Sequence, residues 1–393
     1  MDTTQPRKIS VRAVGATLPT LTALRFVAAL IVFFSHARYL GLFGDDEVAS
    51  GFEWLFRQGP ISVGFFFVLS GFILAWSARD DDTPPRFWRR RFFKIYPNHI
   101  LTFLATLVIF ATVAQPAVSD DYALANLFLV QSWFPSMEVF SSINPITWTL
   151  SCEVLFYFTF PWWKRLIDRI APARLWLWAG AMVAAVFLIA AVALALPAEP
   201  AVPWSQTYSL NQYWLVYVFP PVRIFDFVLG IVLARIVQTG RRLPIGFGGA
   251  ALLTAVSYVV STELQGTFSL VALNIVPIGL LVAAGARADI EGRPTFLRWR
   301  PIVFAGELSY AFYLWHYLVL FHGLLWLDQR TDLETLPAVG LLLLLLTATV
   351  LLAWPTYVLF ERPIMRRFAV SRRHRAAVTQ PAVAGRDSAA ADN

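Results

Sequence analysis

Arg25 and His36 stand eleven residues apart inside LTALRFVAALIVFFSHARYL, residues 21–40, a run long and apolar enough to cross a bilayer. A charge at the centre of a membrane helix costs about 2.5–3.5 kcal/mol on insertion scales, so such residues mark functional sites by default. Eleven residues of helix rise about 16 Å and turn through three turns plus about 20°. The two side chains therefore share one helix face, one near each end. Histidine suits proton transfer near neutral pH, and arginine suits an anion. Each has a plainer reading: Arg25 snorkelling to the interface, and His36 hydrogen-bonded to a neighbouring helix. One lined cavity would explain both at once.

Other polar residues lie in apolar surroundings. In NPITWTLSCEVLFYF (144–158), Thr149, Glu153 and Tyr157 are four apart and face one way. Glu153 is expected near the depth of His36, as a functional carboxylate or as a structural partner for an arginine such as Arg223. Arg223 has Asp226 at i+3, and that pair reads as structural. In GELSYAFYLWHYLVLFH (306–322), Ser309, Tyr313 and His316 follow i, i+4, i+7 along one stripe, and Glu307 is expected to be able to pair with Arg25. The run RFWRRRFFKIYP (86–97) reads as a basic connection between spans. Its arginine forks suit a phosphorylated cofactor, or lipid phosphates alone. Gly64 and Gly71 read as a helix-packing face, and Ser70 lacks the sequence context of an activated nucleophile. Cys152, the one cysteine, matches no disulfide or metal spacing.

These residues need a scaffold. Of 393 residues 58% are hydrophobic and 15% charged, too little charge to cover a soluble protein of this size. Ten spans are expected, at about residues 22–40, 60–77, 98–115, 146–164, 175–196, 215–237, 245–261, 268–286, 304–326 and 337–360. The expected fold is therefore all-α, a polytopic membrane protein of about ten transmembrane helices with both termini cytoplasmic. On that topology the 32 basic residues divide into 27 inside, three outside (Arg38, Arg57, Arg330) and two in the membrane (Arg25, Arg223), as the positive-inside rule requires. The net charge of +7 follows from that bias and from anionic lipid, so nucleic acid is not an expected partner. ANLFLVQSW (125–133) is too short to span and reads as interfacial or re-entrant, and Pro363 in FERP is expected to break the tenth helix. The expected division is a cytoplasmic tail (1–20), a membrane domain (21–363) and a disordered cytoplasmic tail (364–393).

A basic cluster inside, a histidine outside and carboxylates between them describe a path through the bundle. A transferase drawing on a phosphorylated cytoplasmic donor fits. So does a proton-coupled transporter in which His36, Glu153 and His316 relay protons. No internal inverted repeat is evident, which favours the transferase.

Five segments in order, LRFVAALIVFFSH, GFFFVLSGF (64–72), RRFFKIYP (90–97), WTLSCEVLFY (148–157) and LSYAFYLWH (308–316), resemble the acyltransferase-3 family of integral membrane O-acyltransferases. That family includes O-antigen acetylases and macrolide O-acyltransferases. The resemblance implies transfer of an acyl group, often acetyl, from acyl-CoA to a hydroxyl, with no permanently bound cofactor and no metal. His36 matches the essential histidine and is the expected general base, while Arg25 is its paired arginine, guiding the donor's pantetheine arm. Arg90, Arg91 and Lys94 match the basic motif expected to hold the donor's phosphates. Glu153 is expected to orient the imidazole or bind the sugar, and Trp148, Tyr157, Ser309, Tyr313 and His316 to line the acceptor side, with stabilisation of the oxyanion as the alternative for Tyr157, Ser309 and Tyr313. The acceptor implied is a cell-envelope glycan or lipid-linked sugar, with a macrolide or other secondary metabolite as the alternative, at the inner (cytoplasmic) membrane of a bacterium.

Overall fold

The computed structural model describes residues 17–79, 82–112, 118–323 and 332–369. Within them ten long helices occupy the ten expected positions: α1 (Pro19–Ala37), α2 (Pro60–Trp76), α3 (Pro84–Thr112), α4 (Trp148–Asp168), α5 (Leu175–Ala193), α6 (Pro220–Gln238), α7 (Phe247–Glu263), α8 (Ala272–Ile290), α9 (Arg300–Tyr317) and α10 (Thr335–Pro355). Among the described residues, seven helical segments are long and apolar enough to cross a membrane by length and composition. The exceptions are α7, with 17 residues, and α4 and α9, which carry many of the polar residues singled out in the sequence. The result is an all-α, multi-pass membrane architecture. Four helices open on a proline, whose fixed φ suits the first turn and whose missing N–H is not needed there.

Backbone contact holds the bundle together at two places. Helices α2 and α6 cross so closely that a Cβ on Gly71 would lie 1.9 Å from the Phe227 carbonyl oxygen, and one on Gly230 would lie 2.0 Å from that of Val68. Helices α1 and α9 meet in the same way, a Cβ on Gly306 falling 1.9 Å from the Thr22 carbonyl oxygen. Only glycine permits such approaches, which is how helices associate where the surrounding lipid is as apolar as their side chains. Arg223 and Asp226 on α6 form a 2.5 Å ion pair, each 1% exposed. The guanidinium also lies over the Phe67 and Tyr217 rings. That pair is structural, as its spacing predicts.

Several segments depart from expectation. The basic run is not a connecting loop: α3 begins at Pro84, so residues 86–97 are helical and Pro97 lies inside the helix. Pro363 does not break the chain either. Beyond α10 the chain continues through π turns at Thr356–Glu361 and Met365–Ala369 around a short helix, Arg362–Ile364. Pro363 sits in the first turn of that helix, where no N–H is required. The segment around 125–133 folds into a short helix, Asp120–Leu127, and a 3-10 turn, Gln131–Trp133. The buried side chains of Asn126, Gln131 and Ser132 anchor it. Strands Ala201–Val202 and Ser205–Ser209 form a small antiparallel hairpin that the helical reading did not include. Residues 1–16 and 370–393, most of both expected tails, lie outside the described residues, as do the ends of the third and ninth expected spans and Arg330.

The glycine contacts predict a sharp contrast. Gly71→Leu is expected to lower the thermal stability of the detergent-purified protein by about 1–3 kcal/mol or more, because backbone cannot yield as a side chain does. Gly180→Leu on α5, with nothing within 4 Å of its added Cβ, should leave the melting temperature nearly unchanged. Equal melting temperatures for the two variants would refute the tight crossing.

Candidate active site

Two groups of polar side chains are strung along α1. At the His36 end lies a cavity of about 300 Å³, walled by α1, the start of α2, Ile146 and Trp148, Tyr313 on α9, and the hairpin. Its lining is aromatic to an unusual degree: Tyr39, Trp148, Trp204, Tyr208, Tyr213, Tyr217 and Tyr313. Flat, rigid rings with hydroxyl edges suit a ligand that is apolar on one face and hydrogen-bonding at its rim. Burial raises the Tyr208 phenol above its ordinary range, so it meets a ligand as a neutral hydroxyl. Glu53 on the wall is paired with Arg38 and, at 3.4 Å, with Arg57.

His36 enters this cavity with one ring edge already engaged. Its Nδ1 lies 3.0 Å from Nε2 of His316, and the two rings sit 5.1 Å apart at 35°. Nδ1 of His316 in turn bonds the Tyr313 carbonyl oxygen. His316 is 1% exposed, packed beside Phe312 and Tyr313. Tyr313 is anchored by its own hydroxyl, 3.1 Å from both Thr149 Oγ1 and the Ile146 carbonyl oxygen. Among the described residues no three His, Cys, Asp or Glu side chains come together as a metal site.

The second group gathers around Arg25. Its electrostatic neighbours are Glu361, then Glu153 and Tyr157. Glu361 accepts from Lys94 Nζ through one oxygen and, at 2.6 Å, from Asn98 Nδ2 through the other. Lys94 also lies over the Tyr310 ring, and Arg91 over the rings of Phe87 and Tyr157. Arg25, Arg91, Lys94, Glu153, Tyr157 and Tyr310 all stay partly accessible. A cluster of three cations and two carboxylates can receive an anionic group by exchanging partners.

Some expected placements change. Glu153 faces Tyr157, Arg25, Lys94 and Arg91, and the group that contacts the imidazole is His316. Tyr157 joins the Arg25 group rather than the aromatic cavity. Ser309 spends its hydroxyl on the Gly306 carbonyl at 2.8 Å and is 1% exposed, so the stripe it shares with Tyr313 and His316 has only two members available. Glu307 accepts from Tyr357 instead of pairing with Arg25. Arg90 is held by both oxygens of Asp82 and Arg89 by the Phe368 carbonyl, leaving Arg91 and Lys94 to reach inward. Glu361 and Asn98 were missed. Glu361 is 3% exposed and satisfies the same intramembrane-carboxylate criterion as Glu153, but its FERP setting reads as a helix end.

Residues 18–358 match the family described as the acyltransferase domain. The chain belongs to that family. Over 376 residues this acyltransferase is 40% identical to acyltransferase MdmB of Streptomyces mycarofaciens, covering 93% of this chain and 95% of the relative. It is 22% identical to the peptidoglycan O-acetyltransferase OatA of Listeria monocytogenes and to the O-acetyltransferase OatA of Staphylococcus aureus. The match covers 89% and 93% of this chain but only 56% and 60% of those longer proteins. No solved structure matches it. It is thus an O-acyltransferase enzyme of the membrane, and the transporter alternative gives way to acyl transfer.

The Lys94–Glu361 contact makes a stability prediction. Lys94→Ala strands a carboxylate that is almost fully enclosed. The cost should be about 1–3 kcal/mol, less than for a fully buried pair because Lys94 keeps access to water. Adding Glu361→Gln should recover much of it in a double-mutant cycle of thermal unfolding. An additive cycle would mean that the two side chains do not interact.

Proposed function

We propose that this acyltransferase moves an acyl group, acetyl by preference, from acyl-CoA entering at the Arg25 end to a hydroxyl seated in the aromatic cavity at the His36 end. In this reading all ten long helices cross the inner membrane of a bacterium, both termini are cytoplasmic, and residues 21–363 form the membrane domain. The observation that carries it is the division of one helix face, with a cationic internal cluster at one end and a histidine opening on an aromatic cavity at the other. The donor's phosphates engage Arg91 and Lys94, with Arg90 at the entrance, and Arg25 guides its arm toward the His36 end. No permanently bound cofactor takes part.

A hydroxyl is a weak nucleophile at neutral pH and needs a base. In the proposed step the acceptor oxygen attacks the thioester carbonyl carbon as His36 Nε2 takes the hydroxyl proton. The carbon–sulfur bond then breaks, the ester remains on the acceptor, and the thiolate leaves with the proton that His36 returns. Trp148 and Tyr313 line the acceptor's cavity, and Glu153 and Tyr157 stand with Arg25 at the donor's end.

The acceptor is read as a sugar hydroxyl of a cell-envelope glycan or lipid-linked sugar. This is in keeping with the relatives named for O-acetyl transfer and peptidoglycan. A macrolide or other secondary metabolite is the second reading, its apolar rings and hydroxyl rim suiting the aromatic lining of the cavity.

Purified enzyme with labelled acetyl-CoA and candidate acceptors tests the proposal. His36→Ala should reduce transfer by about 10²–10⁴-fold, the usual worth of a general base, with the melting temperature little changed. Full transfer by the variant would remove His36 from the chemistry. Trp204→Ala, at the hairpin turn, should raise the acceptor KM about three- to tenfold, the value of one aromatic contact, and leave the donor KM alone. An unchanged acceptor KM would move the acceptor out of this cavity.

A further inference from the structure

The histidine pair contains more information than its distance. A carbonyl oxygen only accepts, so the bond from His316 Nδ1 to the Tyr313 carbonyl requires a hydrogen on that nitrogen. A neutral His316 then has a bare Nε2. That Nε2 faces His36 Nδ1 at 3.0 Å, so the hydrogen between the rings belongs to His36 Nδ1. In neutral His36 the remaining nitrogen, Nε2, is bare, and it lies on the ring edge that His316 does not occupy, with His36 lining the cavity. Were His36 protonated at Nε2 instead, two bare nitrogens would face each other at 3.0 Å unless His316 were cationic. At 1% exposure among Phe312, Tyr313 and its own helix, that cation would be buried without a carboxylate partner.

We propose that His316 is a positioning residue that fixes His36 in the tautomer with Nδ1 protonated and Nε2 free to accept a proton from the acceptor hydroxyl. The proposal rests on the reading of His36 as the base. The relay runs from the Tyr313 carbonyl through His316 to His36 and ends at the cavity. His316 neither gains nor loses a proton in it. When His36 Nε2 takes the hydroxyl proton, the resulting imidazolium keeps its Nδ1–H directed at His316 Nε2, which stabilises the new charge. The second ring thus does for the base what an orienting carboxylate does in hydrolytic triads, without adding a fixed negative charge inside the membrane.

The decisive measurement is the nitrogen NMR spectrum of the full-length protein in lipid nanodiscs, with histidine rings labelled and the His36 signals assigned by their loss in His36→Gln. Wild type should show His36 protonated at Nδ1 and bare at Nε2. In His316→Phe, which keeps a ring and removes the acceptor, protonation should spread to Nε2. Its kcat should fall about 10²–10⁴-fold with both KM values within twofold of wild type. In His316→Gln the side-chain oxygen accepts in place of Nε2 and should restore Nδ1 protonation, with kcat within about tenfold of wild type.

A wild-type His36 protonated at Nε2 would overturn the proposal, as would a His316→Phe enzyme with unchanged tautomer and kcat. If His316→Phe does not fold, the wild-type tautomer and the glutamine variant decide the matter alone. Failure of the base reading looks different: His36→Gln would transfer at the wild-type rate whatever tautomer the spectrum shows.

Discussion

A polar side chain inside a membrane protein must be answered by another protein group or by enclosed water, because the lipid supplies neither partner nor dielectric. The rest of this structure depends on that constraint. Arg223 is answered within its own helix by Asp226. Others are answered between helices: Lys94 and Asn98 on α3 by Glu361 beyond α10, His36 on α1 by His316 on α9, and Tyr313 on α9 by Thr149 and Ile146. Apolar faces cannot choose among neighbours when lipid is equally apolar. Polar partners can, so these contacts set how α1, α3, α4, α9 and α10 are rotated about their axes. The same contacts form the site. Its geometry and its architecture are therefore one problem with one solution.

Precision in such a site needs a rigid frame. A hydrogen bond between imidazoles 280 residues apart survives only if the helices carrying them cannot slide or rotate past each other. The Gly306–Thr22 contact supplies that stop for α1 and α9, backbone against backbone at the opposite end from the histidines. The Gly71 and Gly230 contacts do the same for α2 and α6. Helix α6 continues from the π turn Trp214–Val218, and Arg223 reaches back to the Val216 carbonyl at 3.4 Å. That places Tyr213 and Tyr217 in the cavity wall. The buried ion pair, structural in itself, thus reaches the aromatic cavity through two rings.

Much of this was legible before any coordinates. The helix repeat puts Arg25 and His36 on one face, and hydropathy locates all ten long helices, because both depend only on neighbours along the chain. What the sequence did not reveal depends on rotation between helices. Glu153 shares no contact with His36, because the face of α4 that carries it turns toward Arg25 and Arg91. Ser309 has the right spacing but bonds its own backbone, as membrane serines commonly do. Glu361 was concealed by Pro363, which reads as a stop signal until π turns carry the helix past it. The basic run looked like a loop because its charges dominate its composition. Its helical form matters, because it separates Arg90, held by Asp82, from Arg91 and Lys94, which turn toward Tyr157 and Glu361.

In the proposed reading the eleven residues between Arg25 and His36 also solve an energetic problem. Moving a phosphorylated donor across the bilayer would drag several charges through a region where each costs kilocalories. Keeping those charges at the Arg91 and Lys94 end and letting only an uncharged arm enter the bundle avoids that cost. The acyl carbon then advances toward His36 while the phosphates stay behind. Glu361 and Glu153 fit the same scheme, since cations waiting in a bilayer without a ligand need partners of their own. Lys94 bound to Glu361 is in this sense the resting state of a phosphate site, and an incoming anion replaces a carboxylate instead of meeting a bare charge. The acidic residues make the empty enzyme stable, the basic ones make it receptive, and the length of α1 sets how far the acyl group must reach.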